Sequence, residues 1–313
     1  MTLLDRTLSA VLPTLLPALP RRLVGSVASR YIAGERLDQA VDLVARLAVS
    51  GRTATLDVLG EEAHGQAEVE ATVAEYRAAL DALAAAGLAA GISVKPTAVG
   101  LAFDPGLCRA SLEELAAAAA AHGRFLRIDM EHSATVDATL DLYRHLRAAG
   151  LDNVGIVLQA RLRRTVADIR ELASLRPDVR LCKGIYIEPA AVAFPDPDAV
   201  RTAYVRALEE LLTAGARPAL ATHDEWLLRE SLRLVAAAGL GRDAYELQML
   251  LGVREERAAQ LVAEGHRLRV YVPYGVRWYE YSLRRLQENP ALAAQIAGDT
   301  AGRVVGALAR RFG

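Results

Sequence analysis

From residue 53 onward, short runs rich in β-branched and aliphatic residues alternate with longer segments whose apolar residues recur at helical spacing. The short runs are 53–60 (TATLDVLG), 91–99 (GISVKPTAV), 125–131 (FLRIDME), 153–160 (NVGIVLQA), 179–186 (VRLCKGIY), 216–223 (ARPALATH), 244–250 (AYELQML) and 267–275 (RLRVYVPYG), eight in all. Between them, sets such as Val69, Val73, Tyr76, Leu80 and Leu83, or Val136, Leu140, Tyr143 and Leu146, predict amphipathic helices. Gly87, Gly150, Gly215 and Gly265 stand shortly before the next strand, as expected where a helix ends by turning through positive φ. Ser111 followed by Glu114 reads as a capping box at a helix start. Strict alternation of the two element types implies parallel strands with crossover helices. Eight repeats in roughly 220 residues favour a closed (β/α)8 TIM-type barrel over an open sheet. An open doubly wound sheet would more naturally carry G-x-G-x-x-G after its first strand, but Gly60 is followed by EEAHG and that fingerprint occurs nowhere.

The barrel pattern occupies residues 53–290. Residues 1–52 read as a helical N-terminal extension, with Leu37, Val41, Val44 and Leu47 forming one apolar stripe that docks on the barrel. Residues 291–313, rich in Ala and Arg, read as a C-terminal helical tail. The apolar stretch 3–19 carries Asp5, Arg6, Pro13 and Pro17, which argues against a membrane span or a signal peptide. It reads as a packed helix, with weak membrane-surface contact as the alternative. Composition agrees with a globular chain: 52% hydrophobic and 24% charged residues exclude both a disordered and a membrane-embedded protein. With 37 basic and 38 acidic residues there is no bulk attraction to nucleic acid or anionic lipid. Two cysteines, Cys108 and Cys182, make no disulfide framework, so a cytoplasmic location is expected, with the inner face of the membrane as the alternative.

Chemistry in such barrels gathers at the C-terminal ends of the strands. The polar residues there are Lys95; Asp129, Glu131 and His132; Gln159 and Arg161; Arg180, Lys183 and Tyr186; Thr222, His223 and Asp224; Glu246 and Gln248; and Tyr271. Lys95 and Lys183 are the only two lysines beside 35 arginines, and both fall in predicted strands toward the catalytic end. The alternative for each is a paired lysine snorkelling at the barrel rim. Residues 271–281 (YVPYGVRWYEY) hold four of the ten tyrosines. On a helix starting near Trp278, Tyr281 shares a face with Arg284 and Arg285, a fit for a small carboxylate with an apolar body. The alternative is an amphipathic helix with core aromatics and solvated arginines. No nucleophile elbow, zincin motif or Walker loop is present. A Schiff-base aldolase barrel using Lys183 or Lys95 is the rival enzyme class.

The motifs SVKPTAVG around Lys95, RIDMEHS around Asp129, VLQA at Gln159, RLCKGIY from Arg180 to Tyr186, LATHD at Thr222 and His223, ELQMLLG around Gln248, and RVYVPYGVRWYEYSLRRLQEN from Arg269 to Asn289 resemble the proline dehydrogenase family, in particular its short monofunctional bacterial type. The resemblance implies a distorted (β/α)8 barrel that holds FAD at the strand C-termini, with the final barrel helix over the mouth. It implies oxidation of L-proline to Δ1-pyrroline-5-carboxylate by hydride transfer to FAD, with electrons passed to a quinone. By the same resemblance Lys95, Arg284 and Arg285 hold the proline carboxylate, and Tyr186, Tyr271 and Tyr281 wall the ring. Asp129 orders these cations and Arg180 lies near the flavin N5. Met130, Gln159, Lys183, Gly184, Ile185, Thr222 and His223 line the flavin, and Glu288 contacts its nucleotide end. Strand alternation leaves one tension, since it puts Arg180, Gly184 and Tyr186 on one face and Lys183 on the other. The chain shows no aldehyde dehydrogenase domain and no DNA-binding arm, so the product is expected to pass to a separate pyrroline-5-carboxylate dehydrogenase.

Overall fold

The computed structural model describes residues 30–60, 62–279 and 281–282. Eight strands, β1 (Thr53–Val58), β2 (Ala90–Val94), β3 (Leu126–Ile128), β4 (Val154–Gln159), β5 (Asp178–Cys182), β6 (Arg217–Ala221), β7 (Glu246–Leu250) and β8 (Leu268–Tyr274), pair in parallel, each with its sequence neighbours. β8 returns to β1, with Thr55 opposite Tyr271, and closes the barrel. α1 (Leu37–Val49) precedes the barrel and packs on β1 and β8 through Ala40, Val44 and Leu47. The crossover helices are α2 (Gln66–Ala85), α3 (Pro105–Ala121), α4 (Val136–Ala148), α5 (Thr165–Leu172), α6 (Pro197–Thr213), α7 (Glu225–Ala237) and α8 (Glu255–Ala263). The expectation of a final helix over the mouth falls mainly on residues 283–290, and the predicted tail on 291–313, outside the described residues. No described helix is long and apolar enough to cross a membrane.

The helical stripes expected from the sequence are the buried faces: Val69, Val73, Tyr76, Leu80 and Leu83 on α2, and Val136, Leu140, Tyr143 and Leu146 on α4. They meet the outward side chains of the strands, such as Leu56, Ile92, Ile128, Ile156 and Leu220, in one continuous core. The inward side chains are different in kind. Ser93, Asp129, Arg180, Gln248 and Tyr271 touch one another although several come from strands that are not neighbours, which only the lumen allows. Long polar side chains fill this lumen, and small residues make room for them. A Cβ on Gly155 would lie 2.7 Å from the Asp178 carbonyl oxygen and crowd the Arg127 guanidinium.

The structure corrects two local expectations. α3 starts at Pro105, capped by Asp104, whose carboxylate accepts the Leu107 N–H at 2.9 Å, so Ser111 lies inside the helix and no capping box forms there. Both lysines lie just past strands rather than in them. β2 stops at Val94 because Pro96 has no N–H to donate and opens a 3-10 turn over Pro96–Val99. β5 stops at Cys182, two residues before Gly184 turns through φ +92°.

Candidate active site

The C-terminal mouth gathers a buried charge cluster. The Lys95 Nζ donates to Asp57 Oδ1 at 2.7 Å, and Asp57 is wholly buried. Burial works against the Lys95 ammonium, but Asp57 and Asp129 outweigh it and the net direction is upward, so the cation persists at neutral pH. Asp129 follows β3, tied by its N–H to the Val94 carbonyl at 2.9 Å. Its Oδ1 accepts from Ser93 Oγ at 2.7 Å and from Arg180 Nη1 at 2.7 Å, and its Oδ2 accepts from the Tyr271 hydroxyl at 2.9 Å. The Arg180 guanidinium also lies over the Tyr271 ring, 5.1 Å from the centroid. Burial, with Asp129 and Asp57 beyond it, pushes the Tyr271 phenol well up, so it stays a neutral donor. The structure thus brings Lys95, Asp129, Arg180 and Tyr271 to one end of the barrel.

Tyr281 is buried with Ile32 and Leu59, with Trp278 packed against them, at the end of β1 where the mouth opens. It is near enough to Tyr271 to add to the upward push on that phenol. Trp278 Nε1 donates to Glu35 at 2.6 Å, and Ala33 N donates to the Pro273 carbonyl at 2.8 Å, so residues 31–35 brace the turn after β8. Tyr186 sits half-buried with its ring edge-on to His132, centroids 6.2 Å apart. Its carbonyl accepts from Arg161 Nη1 at 2.7 Å, and Glu188 ties the same loop to Ser133 N and Oγ, both at 2.6 Å. Arg284, Arg285 and Glu288 lie outside the described residues.

The residues expected around a cofactor line the adjoining strand ends. Gln159 is buried at the end of β4, and a Cβ on Gly184 would meet its Oε1 at 2.6 Å. A bare backbone beside a fixed amide is what the close approach of a flat ring requires. Met130 and Thr222 are buried, and Thr222 Oγ1 accepts from Asp224 N at 3.1 Å. His223 Nε2 accepts the Leu250 N–H at 3.0 Å, which places its proton on Nδ1 in the neutral ring. Ile185 is 47% exposed. Among the described residues Arg180 Nη2 has no hydrogen bond, while Nε and Nη1 are engaged. The bare Gly184 backbone beside the Gln159 amide, with an Arg180 N–H to spare among the described residues, fits a flat heterocycle that presents hydrogen-bond acceptors.

Lys183 resolves the tension over its direction. With β5 ended, its side chain runs 45% exposed toward the start of α7, 3.5 Å from the N-cap carboxylate of Asp224, which Arg201 also holds at 2.8 Å. It does not join the Lys95 cluster. Burial pushes Cys108 up to about 12 and Cys182 up to about 11, which favours the thiol over the thiolate in both.

Sequence reasoning missed Asp57 and Ser93 and gave Glu246 and Gln248 no role. Asp57 was the one charged residue in TATLDVLG, and that isolation in an apolar strand was the available signal.

A family model described as proline dehydrogenase matches residues 40–297. The chain belongs to the proline dehydrogenase family. The proline dehydrogenase of Deinococcus radiodurans is 39% identical over 280 residues, covering 88% of this chain and 90% of its own. Proline dehydrogenase 1 of Bacillus subtilis (strain 168) is 38% identical over 267 residues, covering 85% and 88%. A crystal structure of proline utilization A from Bdellovibrio bacteriovorus, inactivated by N-propargylglycine, superposes with a TM-score of 0.79 at 24% identity. It covers 85% of this chain, which spans 33% of that longer one, and the likeness is one of fold.

Proposed function

We propose that this family member oxidises L-proline to Δ1-pyrroline-5-carboxylate at the C-terminal mouth of its barrel, with FAD as hydride acceptor and a quinone as the onward electron acceptor. The observation that carries the reading is the Lys95 ammonium, held cationic by Asp57 beside the Arg180–Asp129–Tyr271 cluster. When bound, FAD supplies the two-electron acceptor for the hydride that leaves proline C5.

The protein's own residues do the rest. Lys95, with Arg284 and Arg285 assigned by family resemblance, holds the carboxylate and fixes one end of a rigid five-membered ring. Cations at that carboxylate lower the pKa of the neighbouring amine, favouring the neutral nitrogen whose lone pair drives hydride release. Tyr186, Tyr271 and Tyr281 wall the ring. Asp129 keeps Arg180 and Tyr271 in register from its two oxygens. Arg180, whose Nη2 has no hydrogen bond among the described residues, would be the cation beside the flavin N5. Met130, Gln159, Lys183, Gly184, Ile185, Thr222 and His223 line the cofactor, Lys183 by its backbone, and Glu288 takes the nucleotide end. The product leaves for a separate dehydrogenase. We place the enzyme in the cytoplasm, with its N-terminal segment as the part that would touch a membrane surface.

The Schiff-base alternative is disfavoured because such a lysine must lose its proton, whereas Lys95 is pushed toward keeping it and Lys183 is paired with Asp224. An anaerobic visible spectrum tests the proposal. Adding L-proline should bleach a flavin band of the purified protein; a colourless protein, or a band that proline leaves untouched, overturns it.

A further inference from the structure

We propose that Glu246 and Gln248 of β7 are positioning residues that set the orientation of the Arg180 guanidinium. The inference rests on the reading above that Arg180 faces the flavin. A guanidinium is a flat fork whose direction is fixed once two of its nitrogens are engaged. Arg180 Nη1 goes to Asp129 and Ser93, while Nε donates to Gln248 Oε1 at 2.5 Å, across the lumen from β5 to β7. The Asp129 contact alone leaves the plane free to swing about it, and the Gln248 contact removes that freedom.

An amide can present either its oxygen or its NH2 group, so Gln248 needs something to tell it which way to face. Glu246 does this. Its carboxylate is held by Arg269, Oε1 to Nε at 2.8 Å and Oε2 to Nη2 at 3.1 Å. Burial works against the charge, but Arg269 outweighs it and brings the carboxyl down to about 2, so Glu246 is an acceptor only. It therefore draws the Gln248 Nε2 group to itself and turns Oε1 to Arg180. A flipped amide would set two donors against each other at Arg180. Glu246 and Gln248 spend these hydrogen bonds on Arg269, on each other and on Arg180, so their influence passes through Arg180.

The test is Gln248→Met in the flavin-loaded enzyme, which keeps the side-chain length and removes the acceptor. We expect flavin content to hold and the KM for proline to change by less than about twofold, with kcat falling at least about tenfold as the charge near the flavin is misplaced. The flavin midpoint potential should become more negative. The exchange Glu246→Gln with Gln248→Glu keeps one carboxylate in the pair and leaves an acceptor facing Arg180, so it should recover most of kcat and return the potential toward wild type. If Gln248→Met does not fold, Glu246→Gln alone, which frees the amide to flip, is read by the same potential and kcat. Unchanged kcat and potential with only a lower melting temperature would overturn the proposal, because that is the mark of mere lumen filling. A wild-type protein that proline does not bleach would instead overturn the proline reading itself.

Discussion

Lys95 shows how a charge is kept useful inside a protein. A lone buried ammonium would tend to lose its proton, but Asp57 at 2.7 Å and Asp129 beyond it reverse that tendency. If the ammonium binds the proline carboxylate, Lys95→Met should raise KM by about 10- to 100-fold, the worth of one hydrogen bond to a charged group. Steady-state kinetics normalised to bound flavin checks this, and an unchanged KM would leave Lys95 a purely structural partner of Asp57. Glu246 gives a stability prediction with a defined sign. Its folded pKa, near 2, lies below the ordinary 4.5, so its contribution is complete above about pH 5 and is lost as pH falls toward 2. The stability advantage of wild type over Glu246→Gln should therefore shrink by about 2 kcal/mol between about pH 6 and pH 3, measured by urea denaturation. A constant gap would mean that Glu246 does not titrate in that window.

At the scale of elements, the candidate site draws both on strands, which carry Arg180 and Tyr271, and on the turns just past strands, which carry Lys95 and Asp129. The sequence runs 91–99 and 179–186 extend past their strands because the β-rich composition continues where pairing has stopped. Pro96 stops one and Gly184 follows the other. Gly184 combines φ +92° with a Cβ position 2.6 Å from Gln159 Oε1. Gly184→Ala should cost about 1–2 kcal/mol from the left-handed backbone alone and displace Gln159. The expected result is a lower melting temperature together with loss of bound flavin, read by absorbance after gel filtration. Retained flavin would show that this turn is not part of the cofactor cradle.

At the scale of the molecule, charge is balanced both in total and in place. The formal net charge is −1, and at the mouth the buried Asp57 and Asp129 are paired with Lys95 and Arg180. Proline at neutral pH is a zwitterion with no net charge to steer. The kcat/KM for proline should thus change by less than about twofold between about 0.02 and 0.3 M salt, although the screening length falls severalfold over that range. A steep salt dependence would mean that long-range attraction, rather than local pairing, brings the substrate in.

The sequence by itself determined the element order and the helical faces, because both depend on local periodicity: Val69 to Leu83 and Val136 to Leu146 are buried as their spacing requires. It also marked Lys95, Asp129, Arg180 and Tyr271 as polar residues at strand ends, which the fold brings together. Which of them touch was settled only by barrel closure. Arg180 and Gln248 are 68 residues apart and on strands that are not neighbours, and no spacing along a chain says which residues will face each other across a lumen. Asp57 went unnoticed for the same reason. Its meaning is the lysine just past the adjacent strand, and that pairing exists only once the β1–β2 register places both at the mouth of the barrel.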